Sequence, residues 1–217
     1  GLLCIVFMVC GVLPETASAM EHRTQVSLGA DTDAQTVALA WNPSWTCCDV
    51  SWFRFGTGLR FSAFHGRDLV LETAEYDLID ADQTSSLSNV DAQIYAFNAF
   101  ISTESRALDW LLFGFNLDLV GVSVGPEQTA SYGEAGFEQA PQMRPTQLNL
   151  FRWALRDIGT LNSEFFAAVP IDDTWAIRLG LSHFFAEMES TSPLKYDGER
   201  FRTIRNLGML SVTYDHK

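Results

Sequence analysis

The sequence lacks a hydrophobic segment long enough to form a transmembrane helix, because no stretch after residue 13 contains about 18 consecutive apolar residues. It is also poor in basic residues: 14 Lys and Arg stand against 27 Asp and Glu, which gives a formal net charge of −13. Affinity for nucleic acid depends on cationic side chains that contact phosphates. Nucleic acid is therefore not an expected partner.

Cysteine is scarce and poorly placed for disulfides or metals. Cys4 and Cys10 lie in the N-terminal apolar run, and Cys47 and Cys48 are adjacent. Adjacent cysteines rarely pair, because the short ring strains the disulfide. No histidine lies close enough to complete a metal-ligand spacing. We expect no cofactor and no metal site, and the role of Cys47 and Cys48 stays open.

The first residues contain the longest apolar run of the chain. Residues 2–13 are followed by Pro14 and by the small-residue sequence Ala17-Ser18-Ala19. This order is typical of the hydrophobic region and cleavage site of a secretory signal peptide. We predict an N-terminally clipped signal peptide over residues 1–19 and a mature domain over residues 20–217. The alternative is a short buried N-terminal helix.

Alternation of apolar residues with small or charged ones is the main pattern in the rest of the chain. It is clearest between Ser51 and His65. One face carries Phe53, Phe55, Thr57, Leu59, Phe61 and Ala63, and the other carries Arg54, Gly56, Gly58, Arg60 and Ser62. Side chains alternate across a strand, and this run is long enough for a tilted strand to cross a bilayer. We predict a lipid-facing strand of an outer-membrane β-barrel.

The same pattern predicts eight strands. Their predicted bounds are Thr24–Ala30, Gln35–Trp41, Ser51–His65, Val90–Ser102, Leu108–Val124, Leu161–Ile171, Thr174–Glu187 and Phe201–Tyr214. Residues 42–50, 66–89 and 125–157 are predicted loops, and 147–156 fits either a short helix or a strand extension. Bacterial barrels have an even strand number, short periplasmic turns and long exterior loops. The prediction is an all-β, eight-stranded antiparallel up-and-down transmembrane β-barrel of the bacterial outer membrane, with those turns and loops.

A soluble lipocalin-like barrel would alternate in the same way, with its apolar face inside. Three features favour the membrane. The polar faces are rich in glycine, as a narrow lumen requires. Aromatic residues lie near strand ends, where they line membrane interfaces: Trp52, Trp110, Trp175 and Tyr214. The longer predicted links also fall at one end of the barrel.

Three segments resemble small outer-membrane β-barrel proteins of Bacteroidota-type bacteria, a family without an established activity. They are residues 113–125 (Phe-Gly-Phe-Asn-Leu-Asp-Leu-Val-Gly-Val-Ser-Val-Gly), residues 157–165 (Asp-Ile-Gly-Thr-Leu-Asn-Ser-Glu-Phe) and residues 201–214, which end in Gly-Met-Leu-Ser-Val-Thr-Tyr. The likeness covers most of the chain from about Trp52. It implies an outer-membrane barrel fold and carries over no catalytic residues.

Polar residues opposite the apolar faces are predicted to point into the lumen. They are Arg54, Arg60, Asn98, Asn116, Asp118, Asn162, Glu164 and Arg178. Such a set can form charge-assisted hydrogen bonds that plug the barrel. A narrow polar path or a small-ligand site is the alternative.

An enzymatic interpretation rests on Ser182, His183 and Glu187, since a serine nucleophile needs a histidine base and an acid. Ser182 and His183 face opposite sides of one strand, which argues against it. We expect a structural or surface-interaction protein with a largely plugged lumen. A narrow porin-like pore or hydrophobic-ligand transport element is the alternative, and a lipid-modifying enzyme is less favoured. Expected partners are outer-membrane lipids, lipopolysaccharide and a surface partner at the exterior loops; the sequence does not determine the oligomeric state.

Overall fold

The computed structural model describes residues 20–46, 52–74, 85–134, 137–152, 157–191, 194 and 199–216. Within these ranges, no helix is long and apolar enough to cross a membrane. The predicted signal peptide, Cys47, Cys48 and most of the acidic stretch after Glu72 lie outside the described residues.

The described residues form fifteen β-strands. They are β1 (Glu21–Ala30), β2 (Ala34–Thr46), β3 (Phe53–Gly66), β4 (Leu69–Thr73), β5 (Ser86–Val90), β6 (Gln93–Leu108), β7 (Leu111–Val124), β8 (Gln128–Thr129), β9 (Tyr132–Glu134), β10 (Phe137–Gln139), β11 (Gln142–Pro145), β12 (Leu148–Leu150), β13 (Leu161–Pro170), β14 (Trp175–Ser190) and β15 (Arg200–His216). The long strands fall close to the predicted segments, because alternation marks them.

Eight of these strands close into a barrel, which confirms the predicted fold class. Strands β1, β2, β3, β6, β7, β13, β14 and β15 pair antiparallel in chain order, and β15 pairs back with β1. At one end, here the short-turn end, the links β2–β3, β6–β7 and β13–β14 are brief. At the other, the long-loop end, lie the long links β3–β6 and β7–β13 and the shorter links β1–β2 and β14–β15.

Several predicted strand and loop bounds are wrong; strand β1 begins at Glu21, before the predicted Thr24, and the predicted loop 125–157 contains β8 to β12. Strand β2 continues through the predicted loop to Thr46, because Ser44 and Trp45 pair with β3 beyond Pro43, which has no N–H to donate. Strand β6 continues through the predicted connection 103–107, where Glu104 pairs with Gly114. The predicted loop 66–89 contains the paired strands β4 and β5, and the undecided segment 147–156 contains strand β12.

A β-bulge in β7 sets which residues enter the lumen. Ala99 pairs with Val120 while the next residue, Phe100, pairs with Asp118, so Leu119 is the extra residue. Asp118 and Gly121 consequently both face inward although they are three residues apart.

Apolar side chains cover the outside of the barrel. We call the following exposed residues the outer apolar belt: Val26, Leu28, Val37, Leu39, Trp41, Leu59, Phe61, Phe97, Phe113, Val120, Val122, Val124, Phe165, Val169, Ile177, Leu179, Leu181, Leu210, Val212 and Tyr214. Every barrel strand contributes to it. At the short-turn end, Trp52, Trp110 and Trp175 are exposed, and Trp175 packs edge-on against Tyr214 at 4.9 Å.

The interior has two layers of different chemistry. Polar and charged side chains fill the layer that lies behind the belt. Towards the long-loop end lies an apolar cap: Phe64, Leu69, Leu71, Leu87, Val90, Ile94, Tyr132, Met143, Phe184, Met188, Leu194, Phe201 and Leu207. Phe64 and Phe184 stack across it at 4.8 Å. Strands β4, β5 and β11 contribute buried side chains to this cap.

Candidate functional site in the barrel lumen

The centre of the polar layer is an ion pair between Arg60 on β3 and Asp118 on β7. Arg60 Nη1 donates to Asp118 Oδ1 at 2.9 Å, and the two side chains are 3% and 1% exposed. Asp118 Oδ2 also accepts from Asn98 Nδ2 at 2.8 Å and from the backbone N–H of Asn162 at 3.1 Å. Three donors from three other strands therefore converge on one carboxylate.

Glu164 on β13 lies between two arginines without a hydrogen bond to either. Its Oε2 is 3.8 Å from Arg60 Nη2 and 3.9 Å from Arg178 Nη2. Asn116 Nδ2 holds the same oxygen at 3.1 Å. Arg178 donates from Nη1 to Gln25, and its guanidinium lies 3.3 Å from the ring centroid of Phe166.

The structure places Arg54 apart from the other seven predicted lumen residues. Arg60, Asn98, Asn116, Asp118, Asn162, Glu164 and Arg178 are all buried in the polar layer. Arg54 lies at the short-turn end, with its side chain 23% exposed, and pairs with Glu21 at 2.9 Å.

Sequence reasoning missed Arg23 and Glu104, which form a second ion pair on the short-turn side of the polar layer. Arg23 Nη1 lies 2.6 Å from Glu104 Oε2, and Arg23 also pairs with Asp215 at 2.5 Å. Arg23 precedes the predicted start of β1, and Glu104 lies in a predicted connection. Longer predicted strands would have placed both on inward positions.

The three residues of the enzymatic interpretation do not form a catalytic triad in the structure. Ser182 points inward and donates to Asn162 Oδ1, whereas His183 lies on the exposed outer face with Nδ1 2.9 Å from Asn206. Glu187 is fully buried towards the long-loop end, where Arg202 Nη2 pairs with it at 2.7 Å. This acid stabilises the β14–β15 hairpin beneath the β12–β13 link.

A charged turn closes β1 and β2 at the long-loop end. Arg205 Nε lies 2.7 Å from Asp31 Oδ2, and Arg205 Nη2 lies 2.8 Å from Asp33. Partial burial acts to raise the pKa of Asp31, but hydrogen bonds from Arg205 and from the N–H groups of Asp33 and Ala34 outweigh it and leave this pKa below its usual value.

An open vestibule of about 510 Å³ lies at the short-turn end. Its charged lining consists of Glu21, Arg23, Arg54, Arg106, Asp109, Asp172, Asp173 and Asp215. Among the described residues, no group of His, Cys, Asp and Glu is arranged to hold a metal ion. Acidic and basic side chains this close together can form ion pairs between neighbouring strands.

No family model matches the chain, and no curated protein matches it. Among solved structures, Neisserial surface protein A is 8% identical with a TM-score of 0.42, over 92% of this chain and 98% of that one. The outer membrane protein Ail of Yersinia pestis in a nanodisc is 10% identical with a TM-score of 0.43, over 91% and 100%. The CymD monoaromatic hydrocarbon channel is 8% identical with a TM-score of 0.24, over 93% and 90%. These values carry no argument about function, and the resemblance to Bacteroidota-type barrels stays a prediction.

Proposed function

We propose that this chain is an integral outer-membrane β-barrel protein with a plugged lumen, which has a structural or surface-interaction role. One observation carries the proposal: burial is inverted relative to a soluble barrel. Leu179 and Leu181 are 63% and 68% exposed on the outside, while the charged Asp118 and Glu164 are each 1% exposed inside. A continuous apolar exterior of this extent is stable only against lipid. Outer-membrane lipids and lipopolysaccharide are the corresponding partners.

A matched pair of substitutions tests the membrane location. Leu179 lies midway along the outward face of β14, whereas Val70 is 54% exposed on β4, outside the belt. In a bilayer, Leu179→Arg should destabilise folding by about 2–4 kcal/mol and Val70→Arg by about 0–1 kcal/mol. Both free-energy changes can be measured by unfolding each variant in lipid vesicles and detecting the folded fraction by its heat-modifiable migration on gels. Equal small effects, or a wild-type protein that stays soluble without detergent, would contradict the proposal.

The plug is the second part of the proposal. Support comes from the buried ion pairs of the polar layer and from the apolar cap, whose Leu71, Leu87 and Met143 are 0% exposed. A pore would require both layers to move. Purified protein in planar bilayers should therefore give no steady single-channel current. Steady currents would favour the alternative of a narrow pore and end the plugged interpretation.

The long-loop end is the proposed exterior surface. Strand β4 pairs with β15 there, β5 pairs with β4, and both strands bury leucines in the apolar cap, so the described part of this end offers an ordered surface to a partner. Orientation is testable with Val70→Cys and Asp109→Cys, each in a Cys47→Ser/Cys48→Ser background. An impermeant maleimide should label Val70→Cys on intact cells, and Asp109→Cys only after permeabilisation. The reverse pattern would invert the assignment.

A further inference from the structure

Arg178 is a buried arginine with one open hydrogen-bonding edge. The residue is 2% exposed, and its Nη1 is satisfied by Gln25. Its Nε and Nη2 have no hydrogen-bond partner. The nearest carboxylate, that of Glu164, stops 3.9 Å from Nη2, which is beyond hydrogen-bonding distance.

In two other buried arginines, a carboxylate fills the same edge. Arg23 places Nε and Nη2 on Asp215. Arg202 places the same two nitrogens on Glu187 at 3.2 and 2.7 Å. The planar fork is suited to such paired contacts. Arg60 also lacks a hydrogen-bond partner at Nη2, but Arg178 lacks one at both nitrogens of this edge.

Arg178 is one of the residues that line a small cavity. It has a volume of about 10 Å³, and its lining includes Arg178, Glu104, Ser102 and Phe166. This is close to the minimum room for one water molecule. Glu104 is 7% exposed, and its Oε1 also has no hydrogen-bond partner. The same cavity is therefore lined by a residue with unsatisfied donors and by a residue with an unsatisfied acceptor.

The cavity and the vestibule at the short-turn end share two lining residues. Arg23 and Arg54 line both spaces. At the opposite end, the apolar cap separates the polar layer from the exterior, with Phe64 and Phe184 each 2% exposed. The vestibule is thus the open space nearest to the cavity, whereas the described residues of the apolar cap lie between the polar layer and the other end.

The charge balance decides between water and an anion. The buried residues of this set are three arginines and three acids: Arg23, Arg60 and Arg178 against Glu104, Asp118 and Glu164. An anion would find no excess of positive charge and would leave Glu104 Oε1 without a donor. Water accepts from Arg178 and donates to Glu104, so it satisfies both groups.

We propose that the lumen holds a bound water at the open edge of Arg178, bridging it to Glu104. This water is the inner end of a hydrated dead-end pocket that opens only at the short-turn end. The inference rests on the plugged barrel proposed above and adds to it a one-sided access of solvent. The polar layer is then hydrated without conducting.

Arginine Nε–H resonances of the ¹⁵N-labelled protein in detergent micelles test this water. Arg178 Nε should exchange with water at least about tenfold faster than Arg202 Nε, which Glu187 holds. Ser102→Val, which adds apolar volume to the cavity, should slow the Arg178 exchange by a similar factor. Thr213→Val removes a lumen hydroxyl away from the cavity and should leave the exchange unchanged.

Three results would overturn the bound water. They are a wild-type Arg178 Nε as protected as Arg202 Nε, an unchanged rate in Ser102→Val, or a saturable shift of the Arg178 resonance with millimolar formate, which would show an anion site. Heat-modifiable migration is recorded for every sample. Loss of this migration in the wild type would count against the barrel itself. If Ser102→Val alone loses it, the comparison of Arg178 with Arg202 in the wild type still tests the bound water.

Discussion

Replacing Asp118 with alanine is the sharpest test of the polar layer. The substitution leaves the Arg60 guanidinium 3% exposed with its nearest remaining acid, Glu164, at 3.8 Å. It also removes the acceptor of the Asn162 N–H. Removing one partner of a buried pair costs about 3–5 kcal/mol, and a buried unsatisfied N–H adds about 1–3 kcal/mol. We expect a loss of at least about 4 kcal/mol in the free energy of unfolding, a large share of the roughly 5–15 kcal/mol that stabilises a typical domain.

The measurement is urea-induced unfolding in lipid vesicles, read by tryptophan fluorescence and gel migration. Glu189→Ala is the matched control, because Glu189 pairs with Arg144 at 2.6 Å but the arginine side chain is 47% exposed. Exposed pairs are worth about 0–1 kcal/mol. If Asp118→Ala cost no more than Glu189→Ala, the Arg60 pair would behave like an exposed pair, which would contradict its burial in the polar layer.

A double replacement separates charge pairing from packing. In Arg60→Met/Asp118→Leu, no uncompensated charge remains, so the loss should be smaller than the sum of the single losses by about 1–3 kcal/mol. Strictly additive losses would mean that the two side chains act independently, in spite of their 2.9 Å contact.

Other predictions concern the narrow lumen, the charged turn and the cap. A side chain at Gly58 would place its Cβ 2.4 Å from Trp41 O, whereas a Cβ at Gly208 would lie at an ordinary 3.8 Å from Ala30 O. Gly58→Val should therefore lower stability by about 1–3 kcal/mol, and Gly208→Val should be close to neutral. The pKa of Asp31 is lowered in the folded state, so the Asp31 carboxylate should stabilise the fold fully above about pH 5 and lose this effect as the pH falls through that pKa. The urea midpoints of the wild type and of Asp31→Asn should therefore converge in acid, and a difference that stays constant with pH would contradict this. Phe64→Ala should cost about 3–5 kcal/mol in the same unfolding assay, and a loss below 1 kcal/mol would show that the cap is not closely packed.

Much of the fold could be predicted from the sequence because alternation is a local property. Phe61 and Arg60 are neighbours in the chain, and the two-residue period of a strand sends them to opposite faces whatever they pair with. The strands follow from that period, and the glycine-rich polar faces, the aromatic strand ends and the link lengths add the antiparallel order and the inward direction of Arg60, Asn116 and Arg178. Strand ends were less predictable, because polar residues such as Glu104 continue a strand when a neighbouring strand offers a partner.

The lumen contacts could not be predicted, because they join residues far apart in the chain. Arg23 and Asp215 are 192 residues apart, and their pairing depends on the register between β1 and β15. Likewise, the bulge at Leu119 places Asp118 inward opposite Phe100.

The sequence by itself determined an apolar outer face, a polar inner face and eight strands to carry them. Only the tertiary structure decided that the lumen has two layers. Much of the apolar cap comes from β4, β5, β11 and the parts of β14 and β15 at the long-loop end. The sequence of any one of these segments does not show which other segments it contacts inside the barrel. The physical reason is that a face is set by local backbone geometry, whereas what that face contacts is set by barrel closure and strand register.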